Sequence, residues 1–182
     1  MKRVLGLLVV VVLVGWHTKA GAQITISKPN YEPVTEFSND DFAWSLEKGT
    51  GVIAGQGYLK TEGGFIQTAV GEEVALIPKT AYTDEIVNTT RTDDFFEQYT
   101  NVNKHIDYNQ YRRQQTADEK GRFRFEGLAA GTYYIVTRVI WYTRDQNSKV
   151  SLHGGLLWGQ IQIGEGEVRE NVKLNSITEI AN

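Results

Sequence analysis

The chain has 182 residues with 19 basic and 22 acidic side chains, three histidines and no cysteine. The absence of cysteine excludes disulfides, thiolate catalysis and Cys-ligated zinc. The acidic balance makes nucleic acid and anionic membrane surfaces poor partners.

In chain order, residues 1–22 predict a signal peptide. Lys2 and Arg3 form a basic start, Val4 to Val14 is almost entirely Val, Leu and Gly, and Ala20-Gly21-Ala22 fits the small-x-small cleavage rule. The apolar run falls short of the roughly 20 residues that cross a bilayer, so no stable membrane insertion is expected after cleavage. Without a cysteine near the junction there is no lipid anchor either. Cleavage after Ala22 makes the mature chain periplasmic or secreted and leaves 16 basic against 22 acidic side chains. The remaining 160 or so residues are enough for one domain with its own core.

Residues 23–48 read as an N-terminal arm. Pro29, Pro33, Asn39 and Asp40 punctuate it, but Tyr31, Phe37, Phe42, Trp44 and Leu46 are too many apolar anchors for a linker. The arm is expected to pack along the main domain, on its own chain or a neighbour. Seven strands follow, at Gly51–Lys60, Phe65–Thr68, Glu73–Pro78, Arg122–Glu126, Thr132–Tyr142, Leu156–Ile163 and Val168–Leu174. Gly55 and Gly57 inside the first predict a bulge or a close backbone approach. In Thr132–Tyr142, Tyr133, Ile135, Val139 and Trp141 share one face, while Tyr134, Val136, Ile140 and Tyr142 share the other. Apolar residues on both faces predict a central strand covered on each side. Between Thr92 and Asp107, the spacing of Phe95, Tyr99, Val102 and Ile106 predicts a helix capped by Thr92, within an insertion spanning about 80–115.

The run Thr116-Ala117-Asp118-Glu119-Lys120-Gly121-Arg122-Phe123-Arg124-Phe125-Glu126-Gly127-Leu128-Ala129-Ala130-Gly131-Thr132-Tyr133-Tyr134 resembles the signature of carboxypeptidase regulatory-like domains. The resemblance implies a seven-stranded transthyretin-like β-sandwich over residues 49–175, related to the B-type repeats of collagen adhesins, with 176–182 as a C-terminal tail. Asp118 would cap a tight turn completed by Gly121, with Phe123 and Phe125 inward and Leu128 as a plug. Small exported bacterial proteins of this kind have no assigned activity. Adhesin repeats sometimes form a Lys–Asn isopeptide bond, for which Lys60, Asn171 or Asn175, and Glu126 would be the parts here.

Catalysis finds little support. The mature chain has only His105 and His153, without the His and Glu spacing of a zinc peptidase. It also lacks the Tyr-Arg-Gly-Ser ending of the hydroxyisourate hydrolases that share the transthyretin-like fold. The acidic pairs Asp40-Asp41, Asp84-Glu85, Asp93-Asp94 and Asp118-Glu119 lack EF-hand spacing. No enzyme, cofactor or metal is expected. Tyr82, Tyr108, Tyr111, Arg112 and Arg113 are the candidate partner-binding residues, because Tyr and Arg dominate interfaces and sugar-stacking surfaces. The alternative for these tyrosines is packing of the insertion onto the sandwich, and Trp44, Trp141 and Trp158 read as core or edge residues. The expected function is a non-catalytic exported module that binds or supports another cell-envelope component, protein or glycan, with a carbohydrate-binding module as the alternative and a hydrolase of the transthyretin-like fold as the third.

Overall fold

The computed structural model describes residues 31–61, 63–89 and 102–175. The expected leader, residues 23–30 of the arm, the greater part of the expected helix and the tail lie outside them. Eight strands form two four-stranded sheets, neither closed into a barrel. They are β1 (Gly51–Lys60), β2 (Ile66–Thr68), β3 (Glu73–Pro78), β4 (Arg113–Thr116), β5 (Arg122–Leu128), β6 (Gly131–Arg144), β7 (Val150–Ile163) and β8 (Val168–Leu174).

The first sheet is built around β1, which pairs antiparallel with β5 and, at its far end, with β2. On its other side β1 runs parallel to β8. The second sheet has the order β4-β3-β6-β7, antiparallel throughout. The strand beyond the expected seven is β4. Its sequence, Arg-Gln-Gln-Thr, carries no apolar alternation, and only its pairing with Glu73–Leu76 makes it a strand. The expected start of β7 at Leu156 moves back to Val150, because the hairpin with β6 pairs continuously from Gly131↔Ile163 to Arg144↔Val150.

Between the sheets lies one core. Ile53, Phe123, Phe125, Val172 and Leu174 of the first sheet meet Leu76, Tyr133, Ile135, Val139, Leu157 and Ile161 of the second. The repeated turn chemistry holds it in register. Asp118 accepts hydrogen bonds from the amides of Lys120 and Arg122 at 2.8 and 2.9 Å, and Gly121 takes φ 73°. A Cβ at Gly121 would stand 2.8 Å from the amide nitrogen of Ala69, so two constraints select glycine there. Leu128 is buried as expected, and the buried Tyr133 hydroxyl donates to the Ala129 carbonyl at 2.9 Å. Desolvation raises the Tyr133 pKa to about 12.

A second core covers the opposite face of the second sheet. Ala75, Ile77, Tyr134, Val136 and Trp158 project from it onto Phe42, Tyr82, Ile86, Val87, Val102, Tyr108 and Tyr111. The expectation that β6 is covered on both faces therefore holds for residues 133–139, whereas Tyr142 at the far end stands in solvent. Its covering layer includes α1 (Asn39–Phe42), a 3-10 turn at Ala43–Leu46, α2 (Ala81–Thr89) and a 3-10 turn at Ile106–Tyr111.

The helix expected over 92–107 requires correction where it can be read. Val102 forms a parallel bridge with Tyr31, and Ile106 opens a 3-10 turn with its side chain in solvent. The described α-helix of the insertion is α2, where Tyr82 and Ile86 supply an i,i+4 apolar stripe. Thr80 and Thr83 start it: each hydroxyl accepts the other's amide hydrogen bond, at 3.2 and 2.7 Å. None of the described helices is long and apolar enough to cross a membrane.

Candidate functional site

Three of the five candidate partner-binding residues belong to the second core. Tyr82, Tyr108 and Tyr111 are all buried, Tyr82 donates no surface to a partner, and its hydroxyl instead accepts the amide of His105 at 2.7 Å. The Tyr111 hydroxyl donates to Asn39 at 2.7 Å, which ties the insertion to the arm. The two arginines brace the β4 edge. Arg112 pairs with Glu73 at 2.6 Å, and Arg113 donates to the Glu126 carbonyl at 2.7 Å, linking the second sheet to the first. The structural alternative holds for the tyrosines, whose rings all lie buried in the second core.

The arm docks on its own chain. Phe42 is fully buried, stacked on Tyr111 with ring centroids 4.7 Å apart. Trp44 packs edge-on against Tyr133 of the inter-sheet core, centroids 5.1 Å apart, and its ring fills the space a side chain at Gly131 would need. Glu85 of α2 clamps the arm. Its carboxylate accepts the amides of Val34 and Thr35, both at 2.7 Å, and the Tyr31 hydroxyl. Hydrogen bonds from Thr35, Tyr31 and Val34, in that order, lower the Glu85 pKa to about 2.

An open concave groove lies over the first sheet and reaches Gln115 and Thr116 of β4. On β1 the small Ala54 lies between Val52 and Gln56. Ala54 lies opposite Arg124 on β5. On the other side, β8 bulges against β1 between Ile53 and Gly55, with Asn171 in the left-handed region at φ 62°. Gly55 is required below this bulge, since a Cβ there would come 2.2 Å from the Val172 carbonyl oxygen. The low floor and the bulge leave a groove of about 600 Å³, walled by Gln56, Gln115, Asp118, Arg122, Arg124, Glu170, Asn171 and Lys173.

Charges in the groove are largely paired. Arg124 bridges Glu126 at 2.6 Å and Glu170 at 3.2 Å across β1, and Arg122 pairs with Asp118 at 2.6 Å. The Arg122 side chain, then its amide, hold the Asp118 carboxyl down at about 2. Gln56 donates to the Lys120 carbonyl at 2.6 Å. Guanidinium, carboxylate and amide groups thus alternate around a shallow floor, offering donors and acceptors without a strong field of one sign. Sequence reasoning passed over this site. The alternation of Arg122, Arg124 and Glu126 with Phe123 and Phe125 was visible, but its partners Glu170 and Asn171 lie some 45 residues away and meet it only across β1.

His105 and His153 do not share a site. His105 precedes the 3-10 turn and stacks on Phe37, ring centroids 4.4 Å apart, while accepting the Asp107 amide at 3.2 Å. His153, ahead of the expected strand start at Leu156, sits within β7, stacked on Trp141 and 2.7 Å from the Thr143 hydroxyl. Among the described residues no three His, Asp or Glu side chains are grouped as metal ligands would be. The isopeptide arrangement is not formed. Glu126 pairs with Val52 at one end of β1 and Lys60 is at the other, eight residues or about 26 Å away.

No protein-family model matches the chain, and no curated protein does. A solved crystal structure is similar: a candidate carbohydrate-binding protein from Pseudomonas aeruginosa, 26% identical, with a TM-score of 0.66. The likeness covers 78% of this chain and 98% of that one, so it takes in nearly the whole of the neighbour.

Proposed function

We propose that this chain is a non-catalytic, exported glycan-binding module of the carboxypeptidase regulatory-like type, and that it holds an envelope or extracellular saccharide in the groove on its first sheet. The observation that carries this reading is the groove itself, where paired guanidinium and carboxylate groups and amides surround Ala54 and Gly55. A neutral polyol needs that alternation of donors and acceptors, whereas an ionic ligand would need an unpaired opposite charge. The likeness to a candidate carbohydrate-binding protein points the same way. Because the groove is open and neither histidine lines it, the site suits recognition better than a reaction that must exclude water. With Tyr82, Tyr108 and Tyr111 in the second core, an aromatic partner face on the insertion loses its main components.

The test is titration of the isotope-labelled mature chain with a panel of neutral oligosaccharides, read by amide shifts. Saturable shifts at Ala54, Gln56, Asn171 and Lys173 that vanish in Ala54→Trp, which fills the groove, are expected. Shifts confined to other surfaces, or none across the panel, would overturn the assignment of the groove.

A further inference from the structure

Strand β7 is the outer edge of the second sheet, and among the described residues only β6 pairs with it. Its 14 residues, Val-Ser-Leu-His-Gly-Gly-Leu-Leu-Trp-Gly-Gln-Ile-Gln-Ile, contain no Asp, Glu, Lys, Arg or Pro. Exposed sheet edges are ordinarily guarded by charge, Pro or brevity, since unpaired backbone groups template another strand. The distal half, Val150 to Leu156, has none of these guards and stands in solvent beyond the inter-sheet core.

A second observation falls on the same hairpin. Tyr142, Val150 and Leu152 are 67%, 50% and 54% exposed, and Tyr142 is directly opposite Leu152. The three share one face of the sheet, so a solvent-exposed apolar strip runs up to the unguarded edge.

We infer that the distal half of β7 is a docking edge for a second copy of this chain, joined by antiparallel β7–β7 pairing. A two-fold axis normal to the sheet keeps every residue on its own face, so Leu152 and Val150 of one copy continue into those of the other. Tyr142 flanks the strip on each side, and the apolar surface that a single copy leaves in water becomes covered. Self-pairing also suits the charge. The mature chain is acidic, with 16 basic against 22 acidic side chains, yet the strand that would meet its own copy has no charge to repel. The pairing rests on the hairpin and is independent of what the groove binds.

Sedimentation of the mature chain over a concentration series tests this, with Leu152→Lys as the variant, which puts a like charge on both copies at an exposed position that folding does not require. A concentration-dependent dimer is expected, weakened at least tenfold by Leu152→Lys with an unchanged circular dichroism spectrum. The chain lacks cysteine, so single cysteines scanned through Ser151, Leu152 and His153 should give a covalent dimer at the position nearest the two-fold axis, while one at the distant, exposed Phe65 should not. A monomer at all concentrations, a dimer unaffected by Leu152→Lys, or equal crosslinking at Phe65 would overturn the inference.

Discussion

The outer faces of the two sheets differ although both sheets contribute to the core between them. The first sheet turns Arg122, Arg124, Gln56 and Glu170 outward, with no covering layer among the described residues. The second turns Ile77, Tyr134, Val136 and Trp158 outward onto a layer of helix, arm and 3-10 turns. The difference follows from side-chain chemistry at alternate positions: a strand apolar on both faces must find a second cover, and a strand apolar on one face must not. It also separates the face that packs into a second core from the face on which the proposed ligand groove lies.

The sharpest way to break that contrast is Phe42→Ala, which removes the fully buried ring with which the arm enters the second core. Loss of a buried aromatic of this size costs about 3–5 kcal/mol, and calorimetry should show the melting midpoint falling by roughly 10 °C. Binding in the groove of the variant that remains folded should be unchanged.

A smaller effect is expected at the Glu85 clamp. Its pKa is about 2 in the folded chain against an ordinary value of 4.5, so the carboxylate contributes its full stabilisation above pH 4.5 and loses it as pH falls toward 2. Asp118, also held at about 2, adds to the same acid-side loss. Glu85→Gln should cost roughly 1 kcal/mol at pH 7, a value already reduced for solvent screening. It should also flatten part of the stability change between pH 4.5 and 2, and hydrogen exchange at the Val34 and Thr35 amides should quicken at pH 7.

The smallest stability effect belongs to the groove. Arg124→Ala removes exposed ion pairs with Glu126 and Glu170, and no measurable change in melting midpoint is expected. Saccharide binding, by contrast, should weaken at least tenfold in isothermal titration. A clear fall in the melting midpoint of Arg124→Ala with saccharide binding intact would reverse the roles assigned to the two faces.

Much of this organisation was legible in local chemistry. The run from Asp118 to Tyr134 carries its own turn residues and inward phenylalanines, and β6 announces two covers through its doubled apolar pattern. The expected helix was carried too far at its C-terminal end, because Val102 and Ile106 share a helical spacing that their tertiary surroundings override: one bridges to Tyr31 and the other faces water. The short α2 was missed because nine residues after a proline give too weak a periodicity, and its Thr80–Thr83 cap is recognisable only once the chain turns there. The insertion's tyrosines could be read either as display or as packing, since the same ring serves both.

Composition and alternation by themselves therefore determined a mainly β chain without cysteine chemistry, the strands of the core and the double covering of β6. Tertiary structure alone decided that the arm docks in cis, that β4 is a strand and that a groove opens over Ala54. The physical reason is range. Turn residues and strand alternation act over a few neighbours, whereas Arg124 meets Glu170, and Glu85 meets the arm, only after non-local pairing has brought distant segments together.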